Sequence, residues 1–226
     1  MLDPNWSTEK ILAIHSYLTE EDDYESADLE ENFDDIDFDD EDAAWNAQNI
    51  TIADEKQLRK FSEVSNNGHE FTGQTITLKN DIDIVGVKKW VPIEYFDGTF
   101  DGNGKTIKGV IVKNKYNNQG LFASIDKNGT VKNLSVFVDI KGKDYVGGLA
   151  GDNSGKIENC NVSGSIIGRQ YVGRLVGWNE GTIDGCNANI NIAGKEDVGG
   201  VVGCNFNKGK IKNTCDSGSI SVGVVL

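Results

Sequence analysis

Few side chains in this sequence are of types and spacings that do chemistry. Histidine occurs twice, at His15 and His69. The stretch NGHEF (67–71) places His beside Glu, but no second His follows four residues on. The zinc-peptidase pattern, which needs both imidazoles on one helix face, is therefore absent, and His69 reads as a turn residue. A pair of opposed carboxylates could act as general acid and base on a glycoside, and Asp81, Asp83, Asp97 and Asp101 are the candidates. They sit in segments such as FDGTFDGNG, where Asp-Gly and Asn-Gly are ordinary turn chemistry, and that is the better reading. No CxxC pair is available for zinc. The tandem Gly-Gly-x-Gly-x-Asp units of a calcium solenoid are also missing. The expectation is a protein without enzymatic activity, with no metal site and no cofactor.

The other notable chemistry is charge. In EENFDDIDFDDED (30–42), nine of thirteen residues are acidic, interleaved with Phe33, Ile36 and Phe38. Residues 1–48 hold seventeen Asp and Glu against one basic residue, Lys10, or −16. The chain totals −14, so residues 49–226 come to about neutral, at +2. A segment of this kind repels nucleic acid and acidic membranes and is drawn to basic surfaces. Fifteen acids lie within residues 20–42. Extended, that is roughly one charge per 5 Å, sparser than a single DNA strand; helical, it is roughly one per 2.3 Å, near the duplex value of ~1.7 Å. Phe33, Asp34, Asp35, Ile36, Asp37, Phe38, Asp39, Asp40, Glu41, Asp42 and Trp45 are thus candidate partner-contact residues. The plainer reading of the block is a solvating tail. Upstream, Ser7 as N-cap, Glu9 in the first turn and the spacing of Ile11, Leu12, Ile14 and Leu18 predict a helix over about 7–19.

The elements that would carry these residues emerge from a repeat. YVGGLAGDNSGKIENCNVSGSI (145–166) and YVGRLVGWNEGTIDGCNANINI (171–192) align at a period of 26. DVGGVVGCNFNKGKIKNTCDSGSI (197–220) follows, with two extra residues before its Ile. Fainter copies are GLFASIDKNGTVKNLSV (120–136) and FDGNGKTIKGVIV (100–112). A period in the twenties marks a solenoid. The short alternating runs between Gly, Asn and Asp turns read as strands, so the stacked unit is a coil of parallel β-helix. Residues 49–226 would form six or seven coils, a rod roughly 30 Å long at ~4.8 Å per coil. The inward ladder is read as Ile107, Val131, Ile157, Ile183 and Ile211, with Val110, Leu134, Cys160, Cys186 and Thr214 three residues further on. Stacked Cys160 and Cys186 could approach disulfide distance, but inward cysteines in such a stack read as free thiols.

These segments resemble the GLUG motif, a repeat of bacterial surface and secreted proteins, including adhesins and regions flanking immunoglobulin-A-cleaving peptidases. The stretch from Ile52 to Val112, with EKQLRKFSEVSNNG (55–68), TLKNDIDI, WVPI and FDGTFDGNGKTIKGV, resembles the usual lead-in to those repeats. The resemblance implies an all-β fold, a right-handed parallel β-helix, and no chemistry of its own. A short helix over about 55–68, bearing Leu58 and Phe61, would cover the end of the rod. At the far end SVGVVL matches the start of another coil, so a cap there is absent, supplied by a second copy, or lost by truncation.

Two functions follow. In the first, the acidic segment occupies the basic, nucleic-acid-binding surface of a target protein inside a cell, as phage-encoded blockers of bacterial defence nucleases do. It involves no direct nucleic acid and no membrane. Residues 1–20 lack a basic start and a continuous apolar core, which suits a cytoplasmic protein if the N-terminus is native. In the second, favoured by the repeat family, the rod is a secreted or surface module of adhesin type. It contacts host protein or glycan through its turns, with Trp178 as contact residue.

Overall fold

The computed structural model describes residues 44–84 and 89–223. The predicted helix at 7–19 and the acidic block with Phe33 to Asp42 lie outside the described residues. Within them the chain is an all-β parallel solenoid with one α-helix. Alternation of buried and exposed residues, as in Asn49–Ile52 where Ile50 and Ile52 face in and Asn49 and Thr51 face out, makes these segments strands. Stacking the coils buries the inward set continuously.

Four parallel sheets form the walls. Sheet I runs Asn49–Ile52, Thr75–Leu78, Thr99–Asp101, Thr130–Lys132, Lys156–Glu158, Thr182–Asp184 and Lys210–Lys212. Sheet II stacks Phe122–Ile125, Ala150–Asn153, Val176–Asn179 and Val202–Asn205. Sheet III holds the longest strands, among them Thr106–Lys113, Ser135–Lys141, Asn161–Ile167 and Asn187–Gly194. Sheet IV is Asp144–Val146, Gln170–Gly173 and Glu196–Gly199. A complete coil visits IV, II, I and III in that order.

The inward column of sheet I is Ile50, Ile76, Phe100, Val131, Ile157, Ile183 and Ile211. This corrects the expected ladder at one end: Phe100, not Ile107, stands beside Val131. Ile107 belongs to sheet III, between Ile82 and Val136. After Asp101 the chain makes a four-residue turn over 102–105, closed by Lys105 N–H donating to the Gly102 carbonyl, so that Ile107 falls on the next wall. Val110 likewise pairs with Val138 rather than Leu134, past a bulge between Ile107 and Val110. Gly109 makes that bulge possible: its φ is +75°, and an added Cβ would meet the Ile84 carbonyl oxygen at 2.3 Å. The Cys160–Cys186–Thr214 stack is as expected, with Cys160 N–H on Cys186 Sγ at 3.4 Å and Cys186 N–H on Thr214 Oγ1 at 3.3 Å. All four cysteines are thiols. The hydrogen bond with Cys186 and burial push the Cys160 thiol up.

The helix α1 spans Glu55–Asn66, two residues shorter than read from sequence. Asp54 caps it, its carboxylate accepting from Gln57 N–H at 2.9 Å. Leu58 and Phe61 are fully buried. The segment at 93–96 prolongs sheet II through bridges Ile93–Phe122 and Phe96–Ile125. Its neighbourhood would leave carbonyls unpaired, and α1 satisfies them. Ser62 donates to Val91 O at 2.8 Å, Asn66 to Pro92 O at 3.1 Å and Ser65 to Glu94 O at 3.0 Å. The helix therefore closes both the apolar interior and the polar edge.

Candidate ligand-contact face

The second residue of each sheet IV strand has a left-handed backbone, Tyr145 (φ 58°), Tyr171 (53°) and Asp197 (51°), and Asn118 (56°) holds the equivalent place one coil earlier, beside the bridge Gln119–Val146. Asn and Asp adopt that region readily, whereas a bulky residue there is unusual and costs of order 1 kcal/mol. The two tyrosines are thus held in the strained position in successive coils. Their rings stack at 4.9 Å and 22°. Trp178, on the outer face of sheet II, meets both edge-on, at 5.9 Å from Tyr145 and 5.2 Å from Tyr171. One coil on, Phe206 lies on Trp178 with centroids 4.9 Å apart and is 49% exposed. Four rings from three coils thus form one outward aromatic surface in the corner between sheets IV and II. Since coil spacing is ~4.8 Å, side chains at equivalent positions stack at close to ring-contact distance.

Carboxylates border this surface. Asp152 occupies the position one coil before Trp178 in the outer column of sheet II. Burial, and then the nearby Glu180 charge, push its carboxyl up to about 6. Glu180 accepts a hydrogen bond from Trp178 Nε1 at 3.1 Å, which fixes the indole edge. Around the next corner, Glu180 lines a shallow groove with Lys127, Lys156, Lys208, Lys210 and Thr182.

Inside the wall, the coils are locked by a polar ladder. Asn153 Nδ2 donates to Asn179 Oδ1 at 2.7 Å, and Asn179 Nδ2 to Asn205 Oδ1 at 2.7 Å. Asn153 and Asn179 are fully buried, so each coil's height is fixed against its neighbour. That ladder makes the aromatic face rigid.

Of the residues singled out by sequence, Trp178 lies in this face. Trp45, read as a contact residue, is instead 8% exposed. It stacks on Phe61 at 6.2 Å and meets Phe71 edge-on, because the chain just before sheet I folds under α1. The remaining contact candidates, Phe33 to Asp42, lie outside the described residues. Of the four candidate catalytic carboxylates, Asp83 is an exposed strand residue and the other three are engaged in hydrogen bonds that hold turns or join coils. Asp101 accepts from Asn103 N–H at 2.8 Å and Asn133 Nδ2 at 3.1 Å, and pairs with Lys132 at 3.4 Å. Burial would raise its carboxyl, but these hydrogen bonds and the lysine charge outweigh it and hold it below the usual carboxylate value. Asp97 accepts from Phe71 N–H at 2.7 Å and from Thr72 Oγ1, and Asp81 from Thr106 N–H at 2.8 Å. His69 rests on Phe71, 4.6 Å between centroids, with Nε2 3.3 Å from Gln74 Oε1. No group of three His, Cys, Asp or Glu that could hold a metal is found among the described residues. Sequence reasoning missed Tyr145, Tyr171, Phe206 and Asp152. The aligned Y-V-G starts of two repeats carried a signal for the first two.

The walls, the repeat and the helical cap define a parallel β-solenoid. Residues 144–167 match the model of the GLUG motif, which is one complete coil, from the first strand of sheet IV to the end of a sheet III strand. In structure the chain is similar to one described as a "putative immunoglobulin A1 protease from Bacteroides ovatus", with TM-score 0.50 and 18% identity over 74% of this chain. It spans 62% of that chain, and at this identity the likeness is one of fold. No curated protein matches the sequence.

Proposed function

We propose that the rod is a binding module of adhesin type, secreted or held at a cell surface, without catalysis of its own. It contacts a host protein or glycan through the Tyr145–Tyr171–Trp178–Phe206 face. The observation that carries this reading is four rings gathered outward from three coils on a scaffold whose strands are fixed by a buried Asn ladder. Exposed aromatic surface on a rigid frame binds with little ordering cost. The GLUG repeat and the fold of the neighbour support the reading, and the structural hydrogen bonds of Asp81, Asp97 and Asp101 support the absence of acid–base chemistry. The test is an array of glycans and extracellular-matrix proteins probed with the full chain and with Trp178→Ala/Phe206→Ala. Binding that is lost in the folded variant is expected. Undiminished binding by that variant would remove this face from the account.

Charge segregation favours a second reading. The −16 of residues 1–48 suits occupation of a basic, nucleic-acid-binding surface on a target protein inside a cell. Converting Asp34, Asp35, Asp37, Asp39 and Asp40 to Asn should then slow association and flatten its salt dependence, whereas Phe33→Ala/Phe38→Ala should speed dissociation. Pairing of two copies through the exposed last coil is a separate proposal. It predicts a sedimentation coefficient that rises with concentration and a monomer on Val222→Lys.

A further inference from the structure

The groove beside the aromatic face has a spacing of its own. Along the outer side of sheet I, Thr130, Lys156, Thr182 and Lys210 are register partners in successive coils. Hydroxyl and ammonium therefore alternate along the rod axis. Successive lysines in this column stand two coils apart, roughly 10 Å. Lys208 adds a third ammonium from the turn that also carries Phe206, where Gly209 N–H closes on the Phe206 carbonyl at 2.9 Å. None of Lys156, Lys208 or Lys210 is in an ion pair among the described residues. Glu180 joins the two halves, lining the groove while accepting from Trp178.

Resting on the reading above, we infer that this corner binds a linear polysaccharide whose anionic groups fall on every second sugar. A pyranose unit in an extended chain is about as long as one coil is thick. A chain lying along the axis then meets one coil per sugar. Alternating acidic and neutral units place an anion on Lys156, a hydroxyl-bearing unit on Thr182, and the next anion on Lys210. Ring faces, apolar on their C–H side, rest against Trp178 and Phe206, and Glu180 accepts from sugar hydroxyls. The neighbouring outer column runs Lys132, Glu158, Asp184 and Lys212, with its two carboxylates beside Lys156 and Thr182, and bounds the track on the other side. A polyanion charged on every unit, such as single-stranded nucleic acid, sets an anion at the level of Thr182, where Glu180 and Asp184 repel it and no lysine of the track answers it, which is why the alternating polymer fits better. A carboxylate and a sulfate ester satisfy the lysines equally.

The test uses the full chain in calorimetry or biolayer interferometry. The probes are hyaluronan oligosaccharides (carboxylate only), chondroitin 4-sulfate, a neutral cello-oligosaccharide, oligo-dT and a peptide of residues 30–42. At least one acidic saccharide is expected to bind tenfold or more tightly than the neutral one. Lys156→Gln/Lys210→Gln should remove at least tenfold of that affinity and most of its salt dependence, with melting temperature unchanged. The hyaluronan and chondroitin arms decide which anion is preferred. The inference is overturned by equal affinity for the neutral chain, by full affinity in the lysine variant, or by tighter binding of oligo-dT or the peptide. A neutral glycan or protein ligand lost only with Trp178→Ala/Phe206→Ala would sink this inference and leave the broader reading standing. No saccharide binding at all overturns it, whatever protein ligands the array returns.

Discussion

At the end covered by α1, Leu58, Phe61 and Phe71 have no exposed surface, whereas at the other end Ile220 and Val222 are 45% and 57% exposed. The contrast holds for equivalent residues. Ile183 is fully buried, and its partner one coil on, Ile211, is 37% exposed. Sequence and backbone are nearly the same in the two places. What differs is that, among the described residues, a further coil covers Ile183 and none covers Ile211. In a solenoid the burial of a residue is conferred by the neighbouring coils, and stability is approximately a sum over interfaces. The covered end substitutes a different layer for the missing coil: α1, with Phe61 packed 5.7 Å from Phe100 and 5.8 Å from Phe96.

The sharpest way to break this comparison is to place one charge at both positions. Ile183→Asp buries an unpaired carboxylate between two coils and should destabilise the rod by more than about 4 kcal/mol, to the point of unfolding. Ile211→Asp should cost under about 1 kcal/mol, since that side chain already meets solvent. Urea melts of the two variants give the answer, and equal losses would contradict interface-by-interface stability. Next in size, Phe61→Ala should cost about 3–5 kcal/mol, because it opens a cavity among the four rings of Trp45, Phe71, Phe96 and Phe100. Amide exchange in that variant should rise first in the coils nearest α1. A smaller effect is expected near the open end. There Arg174, 2% exposed, donates to the Ile190 carbonyl at 2.7 Å and pairs with Asp216. Asp216→Ala strands the buried guanidinium and should cost roughly 1–3 kcal/mol, the range for a broken buried pair lowered because the Asp216 side chain is 37% exposed.

The smallest expected effect depends on pH. The Asp152 carboxyl is raised to about 6, so the folded state holds its proton more tightly than the unfolded chain. Its contribution to stability is complete below pH ~4 and is lost as pH rises through 6. Asp152→Asn should therefore be neutral near pH 4 and stabilise the fold at pH 8 by about 1 kcal/mol, after allowance for partial exposure. Thermal melts at the two pH values read the difference directly, and a variant that gains as much at pH 4 would exclude this origin.

Much of the rod was legible in the sequence because the 26-residue period holds from Val131 through Ile183 and stretches by only two residues before Ile211. Apolar residues recur at Ile157, Ile183 and Ile211 without interference. Before residue 131 the period breaks. Phe100 and Val131 are register partners 31 residues apart. Thr-Ile-Lys at 106–108 imitates Thr-Val-Lys at 130–132, so local similarity selected a strand from the wrong sheet. The ligand-contact face was hardly legible, because its members come from different columns. Tyr145 and Tyr171 read as alignment anchors, Trp178 as a lone ring, and Phe206 with Lys208 as part of a turn lengthened by two residues. Only the height of one coil against the next brings them together. The strained tyrosine backbone had no sequence signal beyond occupying the place that Asn118 and Asp197 hold in neighbouring coils.

The buried Asn ladder has a mechanical consequence. Its amides, like the backbone hydrogen bonds of all four sheets, run along the rod axis, while the strands lie across it. A pull on the C-terminus away from the rod loads these bonds one after another, as a zipper is loaded, and never a whole coil in shear. The exposed last coil yields first, and each 26-residue turn released adds on the order of 85 Å of slack. Single-molecule extension should show a staircase of such steps at low, similar forces, with a terminal step of higher force where the aromatic packing around α1 gives way. A tether built in this way gives ground in increments under load while the coils behind the break keep their shape.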